Sequence, residues 1–218
     1  MIPKIVWQTH ECKYEDLPEM YKDNAETWKF DGWDYRYHSA SQRKRFIEKH
    51  FPEYLYIYEN IKFGIYKADF WRLLVLYKFG GLYADIDSRH LNHHIDDAKE
   101  YLESESSFII PSNFLPDGYP NGWIMSTRRN RLLKEIILGV VDLCKDRIEH
   151  SPLDINAYET GPSAITKILN NTKKDFQVSF FHVNHQKTTK YLFPIMPDTD
   201  EKSVWVDKDV CSSYIVKD

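Results

Sequence analysis

The order of apolar and polar residues along the chain predicts strands that alternate with helices. Trp33–His38 alternates large rings with polar side chains, as a half-buried strand does. Gly64–Phe79 is apolar on nearly every side, which is typical of a helix buried in a core. Gly80 and Gly81 end this helix, because glycine accepts the left-handed backbone that helix C-termini favour. We expect Leu82–Asp85 to follow as a short strand.

The same pattern predicts further elements on both sides of this segment. The other predicted strands are Ile2–Trp7, Ser107–Pro111, Trp123–Ser126, Val178–Phe181, Tyr191–Phe193 and Val204–Val206. The other predicted helices are Asp16–Phe30, one capped by Ser39 or Ser41 and ending at His50, Pro52–Asn60, Asp96–Glu103, Arg131–Ile148 and Pro162–Leu169. Strands alternating with helices indicate an α/β fold whose sheet is largely parallel and flanked by helices. Since no Pro/Gly/Ser-rich linker divides the chain, residues 1–218 are expected to form one domain.

Composition narrows the class of protein and its partners. The 218 residues are 42% apolar and 28% charged, which excludes collagen-like and intrinsically disordered chains. The net charge of −4 argues against a nucleic-acid partner, because binding phosphates needs a basic surface. No apolar run reaches the ~18 residues of a membrane span. We therefore expect neither a membrane span nor a nucleic-acid partner.

The cysteines and the first residues bear on the cellular compartment. Cys12, Cys144 and Cys211 are odd in number and far apart, so we expect reduced thiols. The opening residues have neither a basic segment nor a long apolar segment of the kind that directs secretion. These features together predict a cytoplasmic protein.

Asp85 and Asp87 are the strongest candidates for chemistry. They follow a strand and are two residues apart, so an extended backbone would turn both carboxylates to one side. Two like charges held together are unfavourable unless a cation lies near them. Carboxylate oxygens select hard cations such as Mg²⁺ or Mn²⁺. This pair is therefore a candidate metal site that could hold a diphosphate, although a solvated turn with two exposed acids has the same sequence.

Asp69 and Arg72 form a second candidate pair, within the apolar helix. They lie about 60° apart around the helix axis, on a stripe that includes Ile65 and Leu76. Charged residues are rarely buried unless they are paired. Two interpretations remain open: a structural ion pair, or a pair facing the crevice of Asp85, where Arg72 meets phosphate oxygens and Asp69 accepts sugar hydroxyls.

The segment KADFWRLLVLYKFGGLYADIDSRHL closely resembles the D-x-D sugar-binding region of family 32 glycosyltransferases. The matching residues are Ala68, Asp69, Arg72, Tyr77, Gly80, Gly81, Tyr83, Asp85 and Asp87. The opening IPKIVWQTH resembles the first strand of that family, with Trp7 and His10 where His and Trp are commoner. The segment YETGPSAIT resembles its Thr-Gly-Pro segment at Thr160, Gly161 and Pro162.

The resemblance implies a single GT-A-type domain that transfers a hexose from a nucleotide-sugar donor to a glycan or other hydroxyl acceptor, with retention. It implies that Asp85 and Asp87 hold Mn²⁺ or Mg²⁺ together with the ribose and diphosphate of the donor, and that Asp69 and Arg72 hold the donor sugar. It also places Trp7, Gln8 and Thr9 beside the nucleotide. On family breadth, UDP-glucose or UDP-galactose is the first expectation for the donor and GDP-mannose the second.

Two other functions compete with this one. A Mg²⁺-dependent phosphohydrolase also uses a D-x-D after a strand, but there the motif typically lies near the N-terminus. A non-catalytic sugar-nucleotide-binding module would keep the pocket without turnover. Family members often carry a C-terminal His and Ser-Trp that reach the metal and diphosphate, whereas this sequence ends where that segment would begin. Either His182 or His185 replaces it, or the chain is a domain excised from a longer protein.

Overall fold

The centre of the fold is a mixed sheet in the computed structural model, which describes residues 1–90, 108–112, 119–151, 155–172 and 179–182. In chain order its described strands are β1 (Ile5–Thr9), β2 (Asp34–His38), β3 (Gly81–Ala84), β4 (Phe108–Ser112), β5 (Trp123–Ser126) and β6 (Ser179–His182). Their order across the sheet is β2-β1-β3-β5-β4-β6. The pairs β1–β2, β1–β3 and β4–β6 are parallel, and β5 is antiparallel to both of its neighbours. The predicted α/β fold with a mixed, mainly parallel sheet is confirmed.

Helices flank the sheet at most of the predicted places. The described helices are α1 (Glu19–Glu26), α2 (Ala40–His50), α3 (Leu55–Asn60), α4 (Gly64–Phe79), α5 (Arg131–His150), α6 (Ala157–Thr160) and α7 (Pro162–Thr172). The bounds predicted for α4 and β5 agree with the structure at both ends. The predicted helix Asp96–Glu103 and strands Tyr191–Phe193 and Val204–Val206 lie outside the described residues. None of the described helices has the length and apolar character needed to cross a bilayer.

Helix α4 is the centre of the largest apolar cluster. Its residues Phe70 and Trp71 and the segment 73–76 have no exposed surface. They pack against α5, and the strand residues Trp7 and Tyr83 belong to the same cluster. On the other face of the sheet, a smaller cluster contains residues of β1, β3 and β5, the ring of Trp28 and a residue that precedes β1: Ile2, Val6, Trp28, Leu82, Ala84 and Met125. The two clusters fix which strand residues face α4.

Two consecutive glycines join α4 to β3. Gly80 has φ +70° and its amide donates to the carbonyl of Leu76 at 2.7 Å, which ends the helix. Gly81 has φ +106°, and a Cβ there would lie 2.5 Å from the carbonyl oxygen of Ile5. Because only glycine tolerates both the backbone angle and the close approach, this pair fixes where β3 begins beside β1.

The cysteines differ from the sequence expectation. Cys12 is disulfide-bonded, so the prediction of reduced thiols is wrong for this residue. Cys144, on α5, is a free thiol buried in the larger apolar cluster. Burial raises the pKa of the Cys144 thiol to about 12, so this thiol is unreactive at neutral pH.

Candidate active site

The Asp85–Asp87 motif lies in a turn at the carboxyl end of β3. The carbonyl of Asp85 accepts hydrogen bonds from the amide and the hydroxyl of Ser88, the amide at 3.1 Å. The prediction that both aspartates continue an extended segment is therefore wrong, because the chain turns directly after Ala84. Burial raises the pKa of the Asp87 carboxyl, and the charge of Asp85 raises it further.

Arg72 connects this turn to helix α4 through its guanidinium group. Its Nη2 atom lies 2.8 Å from Asp69 Oδ1 and 3.1 Å from Asp85 Oδ1. Its Nη1 atom donates to the carbonyl of Asn121 at 2.5 Å, and its Cζ atom lies 4.3 Å from the centre of the Tyr83 ring. Arg72 is only 3% exposed, so it does not point into an open, hydrated crevice. It forms the ion pair with Asp69 and contacts the motif as well, which combines the two interpretations that the sequence leaves open.

Asn121 is a site residue that the sequence analysis does not identify. It is 6% exposed, and its Nδ2 donates to Asp69 Oδ1 at 2.9 Å. Asp69 Oδ1 therefore accepts from both Arg72 and Asn121, while its Oδ2 accepts no hydrogen bond among the described residues. The only signal in the sequence is the pair Asn121-Gly122, which predicts a turn and says nothing about a partner 52 residues away.

The carboxylates of this site outnumber its cation. Burial raises the pKa of Asp87 to about 7, and the charge of Asp85 adds to this. Burial also raises the pKa of Asp69 to about 6, although Arg72 opposes the shift. Arg72 itself keeps its charge, because Asp85, Asp69 and Asp87 outweigh the cost of its burial and raise its pKa. Two carboxylates thus contact one guanidinium and the charge of a third acts on it, and this arrangement attracts a further cation.

Asp85 is held by its side chain on the α4 side of the sheet. Its Oδ1 accepts from the hydroxyl of Tyr83 at 2.7 Å as well as from Arg72. Its Oδ2 accepts no hydrogen bond among the described residues and lies beside Gly122, where a Cβ would come within 3.1 Å of it. One oxygen of Asp85 is therefore fixed by the protein, and the other is left for a ligand.

The three β1 residues expected beside the nucleotide have other surroundings. Trp7 is 1% exposed, packs between Trp71 and Phe79, and donates from Nε1 to the Gly80 carbonyl at 2.9 Å. Thr9 is also buried, and its hydroxyl donates to the His38 carbonyl at 2.5 Å. Neither side chain has a free face for a base, so the structure does not bring Trp7 or Thr9 to the site.

Gln8 does reach the motif. Its Nε2 atom donates to the carbonyl of Asp85 at 3.1 Å, and its Oε1 atom accepts from the Tyr35 hydroxyl at 2.8 Å. The contact is made to the main chain of the turn, so it does not itself offer a group to a nucleotide.

The other segments that resemble the family lie at the far end of the described chain. Thr160 is buried and donates to the carbonyl of Asn156 at 3.2 Å, and Pro162 begins α7 as predicted. His182 is in β6, and His185 lies outside the described residues.

The chemistry of the donor set fits a divalent cation that shares its ligands with a substrate. Asp85 and Asp87 offer hard oxygens in a region of surplus negative charge. Among the described residues, no group of three or more His, Cys, Asp or Glu side chains is placed to hold a metal by itself. Mg²⁺-type ions are commonly bound through one or two carboxylates plus water and substrate phosphates. The site therefore fits a metal that binds together with a diphosphate.

Comparison with known proteins agrees with this geometry. Residues 18–108 match the family described as "Glycosyltransferase sugar-binding region containing DXD motif". This chain is similar to the family 32 glycosyltransferases. The family 32 resemblance read from the sequence is thus confirmed, and the match includes α4, the two glycines and the Asp85–Asp87 turn.

Several curated relatives of this family 32-like chain are yeast mannosyltransferases. It is 36% identical over 89 residues to mannosyl phosphorylinositol ceramide synthase SUR1 of Saccharomyces cerevisiae, covering 40% of this chain and 23% of that protein. It is 25% identical over 169 residues to the initiation-specific alpha-1,6-mannosyltransferase of Candida albicans, covering 66% and 44%. It is 24% identical to inositol phosphoceramide mannosyltransferase 3 of Schizosaccharomyces pombe, over 93% of this chain and 52% of that protein. The chain thus spans about a quarter to a half of these relatives.

Among solved structures, the PaToxG glycosyltransferase is similar to this family 32-like chain with a TM-score of 0.54. The identity is 18%, and the alignment covers 80% of this chain and 70% of the other. A likeness at this identity concerns the fold alone. The predicted GT-A-type fold is confirmed.

Proposed function

We propose that this chain transfers a mannosyl group from a nucleotide-sugar donor to a hydroxyl acceptor, with the help of a divalent cation. The observation that carries the proposal is the surplus of carboxylates around Arg72, at the turn that contains the D-x-D motif. A diphosphate leaving group needs positive charge, and a site with surplus carboxylates can recruit that charge as Mg²⁺ or Mn²⁺.

The described residues have distinct roles in this proposal. Asp85 and Asp87 hold the cation, which supplies charge stabilisation for the departing diphosphate. Arg72 fixes the carboxylate of Asp85 and keeps that of Asp69 ionised. Asp69 has one oxygen bonded by Asn121 and Arg72, and its second oxygen accepts hydroxyls of the donor sugar. The resemblance to family 32 adds retention at the anomeric carbon to the proposal.

The donor is proposed to be GDP-mannose rather than UDP-glucose or UDP-galactose. The support is the names of the relatives, which include inositol phosphoceramide mannosyltransferases and an initiation-specific alpha-1,6-mannosyltransferase. This reverses the order of donors expected from the sequence. The acceptors that the same names suggest are an inositol hydroxyl of a phosphoinositol ceramide and a mannosyl hydroxyl of a glycan.

The proposal is tested by incubating the protein with GDP-mannose, UDP-glucose or UDP-galactose, with Mn²⁺ and each acceptor. We expect nucleoside diphosphate to be released from GDP-mannose and a mannosylated acceptor to form. Asp85→Asn is the matched control, since it removes one carboxylate charge and nearly preserves the side-chain volume. Release of orthophosphate instead would indicate the phosphohydrolase, and donor binding without any release would indicate the non-catalytic module. Either result would overturn the proposed transfer.

A further inference from the structure

We propose that Gln8 is a positioning residue that fixes the main chain of the D-x-D turn, so that Asp85 and Asp87 are pre-arranged for a cation. This inference rests on the proposed function, because it takes the turn as the cation and donor site. It replaces the role beside the nucleotide that the family resemblance implies for Gln8.

The orientation of the Gln8 amide follows from its two partners. The main-chain oxygen of Asp85 can only accept a hydrogen bond, so the nitrogen end of the amide must face it, at 3.1 Å. The oxygen end then faces Tyr35, whose hydroxyl must donate, at 2.8 Å. Gln8 has no exposed surface, so both ends of the amide are satisfied by the protein alone. Tyr35 thereby fixes the amide that fixes Asp85.

Gln8 approaches Asp85 from the face of the sheet opposite to Arg72. Successive residues of a strand point to opposite faces, and Trp7 packs against α4 whereas Val6 lies in the cluster on the other face. Gln8 shares the face of Val6. The side chain of Asp85 is bonded by Arg72, which extends from α4. Asp85 is thus held through its carboxylate on one face and through its carbonyl from the other.

Two more side chains bind the carbonyls of this turn. Asn24, on α1, donates from Nδ2 to the carbonyl of Ile86 at 3.4 Å. Trp28, just after α1, donates from Nε1 to the carbonyl of Ser88 at 3.0 Å. With Gln8 on Asp85, three carbonyls of the four-residue turn each accept from a side chain outside it.

A function for these contacts follows from the charges of the turn. Asp85 and Asp87 are like charges two residues apart in one turn, which is unfavourable without a cation. A free turn would let them separate, which would lower their affinity for a shared cation. Residues that orient metal ligands without touching the metal typically contribute 10–100-fold in metal affinity. Gln8 is placed to make such a contribution, because it binds the residue whose carboxylate starts the motif.

The test measures two properties that do not depend on turnover: hydrogen exchange of the amides of 86–88, and Mn²⁺ affinity in the presence of GDP. Gln8→Met keeps the shape of the side chain and removes both hydrogen bonds, and we expect faster exchange and about tenfold weaker Mn²⁺ binding. Tyr35→Phe removes only the hydroxyl that orients Gln8, and we expect weakening of about threefold in the same direction.

Tyr58→Phe is the matched control. This substitution also deletes a buried tyrosine hydroxyl. That hydroxyl accepts from Arg43 Nε at 3.3 Å and does not contact the turn. Its Mn²⁺ affinity should stay within about twofold of wild type, since it leaves every orienting residue of the turn in place. If Tyr58→Phe lost as much Mn²⁺ affinity as Tyr35→Phe, both losses would reflect general destabilisation, and the inference would be overturned.

The remaining outcomes separate this inference from the proposed function. Wild-type exchange and wild-type Mn²⁺ affinity in both Gln8→Met and Tyr35→Phe would overturn the inference and leave the proposed function standing. If Gln8→Met does not fold, Tyr35→Phe decides the matter, because it retains Gln8. If the wild-type protein binds neither Mn²⁺ nor GDP, the proposed function fails, and the exchange of 86–88 alone decides whether Gln8 fixes the turn.

Discussion

Two buried arginines in this fold have different charge surroundings. Arg43, on α2, has no exposed surface and forms an ion pair with Glu11. Its other contacts are neutral: Nη1 donates to Thr9 Oγ1 at 2.6 Å, and Nε donates to the Tyr58 hydroxyl at 3.3 Å. One positive charge is matched by one negative charge, so this network needs no further ion.

Arg72 is almost equally buried, but it faces an excess of acids. It contacts the carboxylates of Asp69 and Asp85, and the charge of Asp87 acts on it as well. The pKa of Asp87 is raised to about 7, which reflects burial and the nearby charge of Asp85. A buried arginine therefore does not identify a functional site by itself. The charge left over around it does, because surplus charge is costly unless a ligand neutralises it.

The largest expected effect comes from removing each arginine. Arg72→Met should lose about 3–5 kcal/mol of unfolding free energy, because it leaves the buried Asp69 without its counter-ion. Arg43→Met should lose less, about 1–3 kcal/mol, because Glu11 is partly exposed and the loss is mainly that of the hydrogen bonds to Thr9 and Tyr58. Excess Mn²⁺ should restore part of the loss only in Arg72→Met, where three carboxylates remain without a cation. Urea unfolding with and without Mn²⁺ measures both effects. An identical response of the two variants to Mn²⁺ would remove the distinction between the two networks.

The next effect concerns the acids that pair with the arginines. Asp85→Asn should lower mannosyl transfer at least about a hundredfold, as expected when an electrostatic contact to a leaving group is lost. Its melting temperature should change little, since the repulsion between Asp85 and Asp87 disappears together with the contact to Arg72. Glu11→Gln should lower the melting temperature and leave mannosyl transfer nearly unchanged, because it leaves Arg43 without its counter-ion. Calorimetry and steady-state rates on both variants decide this. A Glu11→Gln protein with a hundredfold loss of transfer would contradict it.

A smaller effect is the pH dependence of stability that Asp87 introduces. Its folded pKa of about 7 lies above the usual value of 3.8, so the folded state binds more protons than the unfolded state between these values. The contribution of Asp87 to stability is present at pH 4 and is lost as the pH rises through 7. The melting temperature of the metal-free wild type, minus that of Asp87→Asn, should therefore fall between about pH 4 and pH 7 and level off above that.

Subtracting Asp87→Asn removes the opposite contribution of the buried histidines. Burial lowers the pKa of His10 and of His38 to about 4, so both destabilise the fold as the pH falls from 6.5. The contribution of these histidines is the same in the wild type and in Asp87→Asn. A difference that stays flat from about pH 4 to pH 7 would show that Asp87 does not have the raised pKa.

The smallest effect tests the space beside Asp85. A Cβ at Gly122 would lie 3.1 Å from Asp85 Oδ2, closer than an ordinary contact. Gly122→Ala should shift this carboxylate by a few tenths of an ångström and lower transfer about fivefold, since small misplacements of catalytic groups are costly. Gly139→Ala, on α5 and facing Ile168, is the control, and it should affect stability rather than rate. Equal rates in the two variants would argue against a ligand at Oδ2.

The sequence predicts those parts of the site that are encoded within one segment. The helix with Asp69 and Arg72, the two glycines and the D-x-D all lie within 19 consecutive residues, from Asp69 to Asp87, so spacing and glycine chemistry are sufficient to identify them. The glycines could be assigned because a backbone with φ of +70° and +106° requires that residue type.

The sequence does not predict contacts between distant segments. Asn121 bonds Asp69 across 52 residues, and Gln8 bonds the Asp85 carbonyl across 77. No local pattern records either pairing. Trp7 shows the converse: an aromatic residue on a strand suits a ligand face or a core equally well, and the packing of Trp71 against it places it in the core. The turn at Asp85 is not predicted for a related reason, because Gln8, on a distant strand, binds the Asp85 carbonyl.

The central claim is that the surplus carboxylates around Arg72 bind a divalent cation together with the diphosphate of a donor. Calorimetric titration of GDP-mannose into the wild-type protein, in Mn²⁺ and again in excess chelator, tests it most directly. The account predicts saturable binding in Mn²⁺, a loss of affinity of at least about tenfold in chelator, equivalent to some 1.4 kcal/mol, and no Mn²⁺-dependent gain in an Asp85→Asn, Asp87→Asn double variant. Undiminished affinity in excess chelator, with no metal bound, would contradict the account.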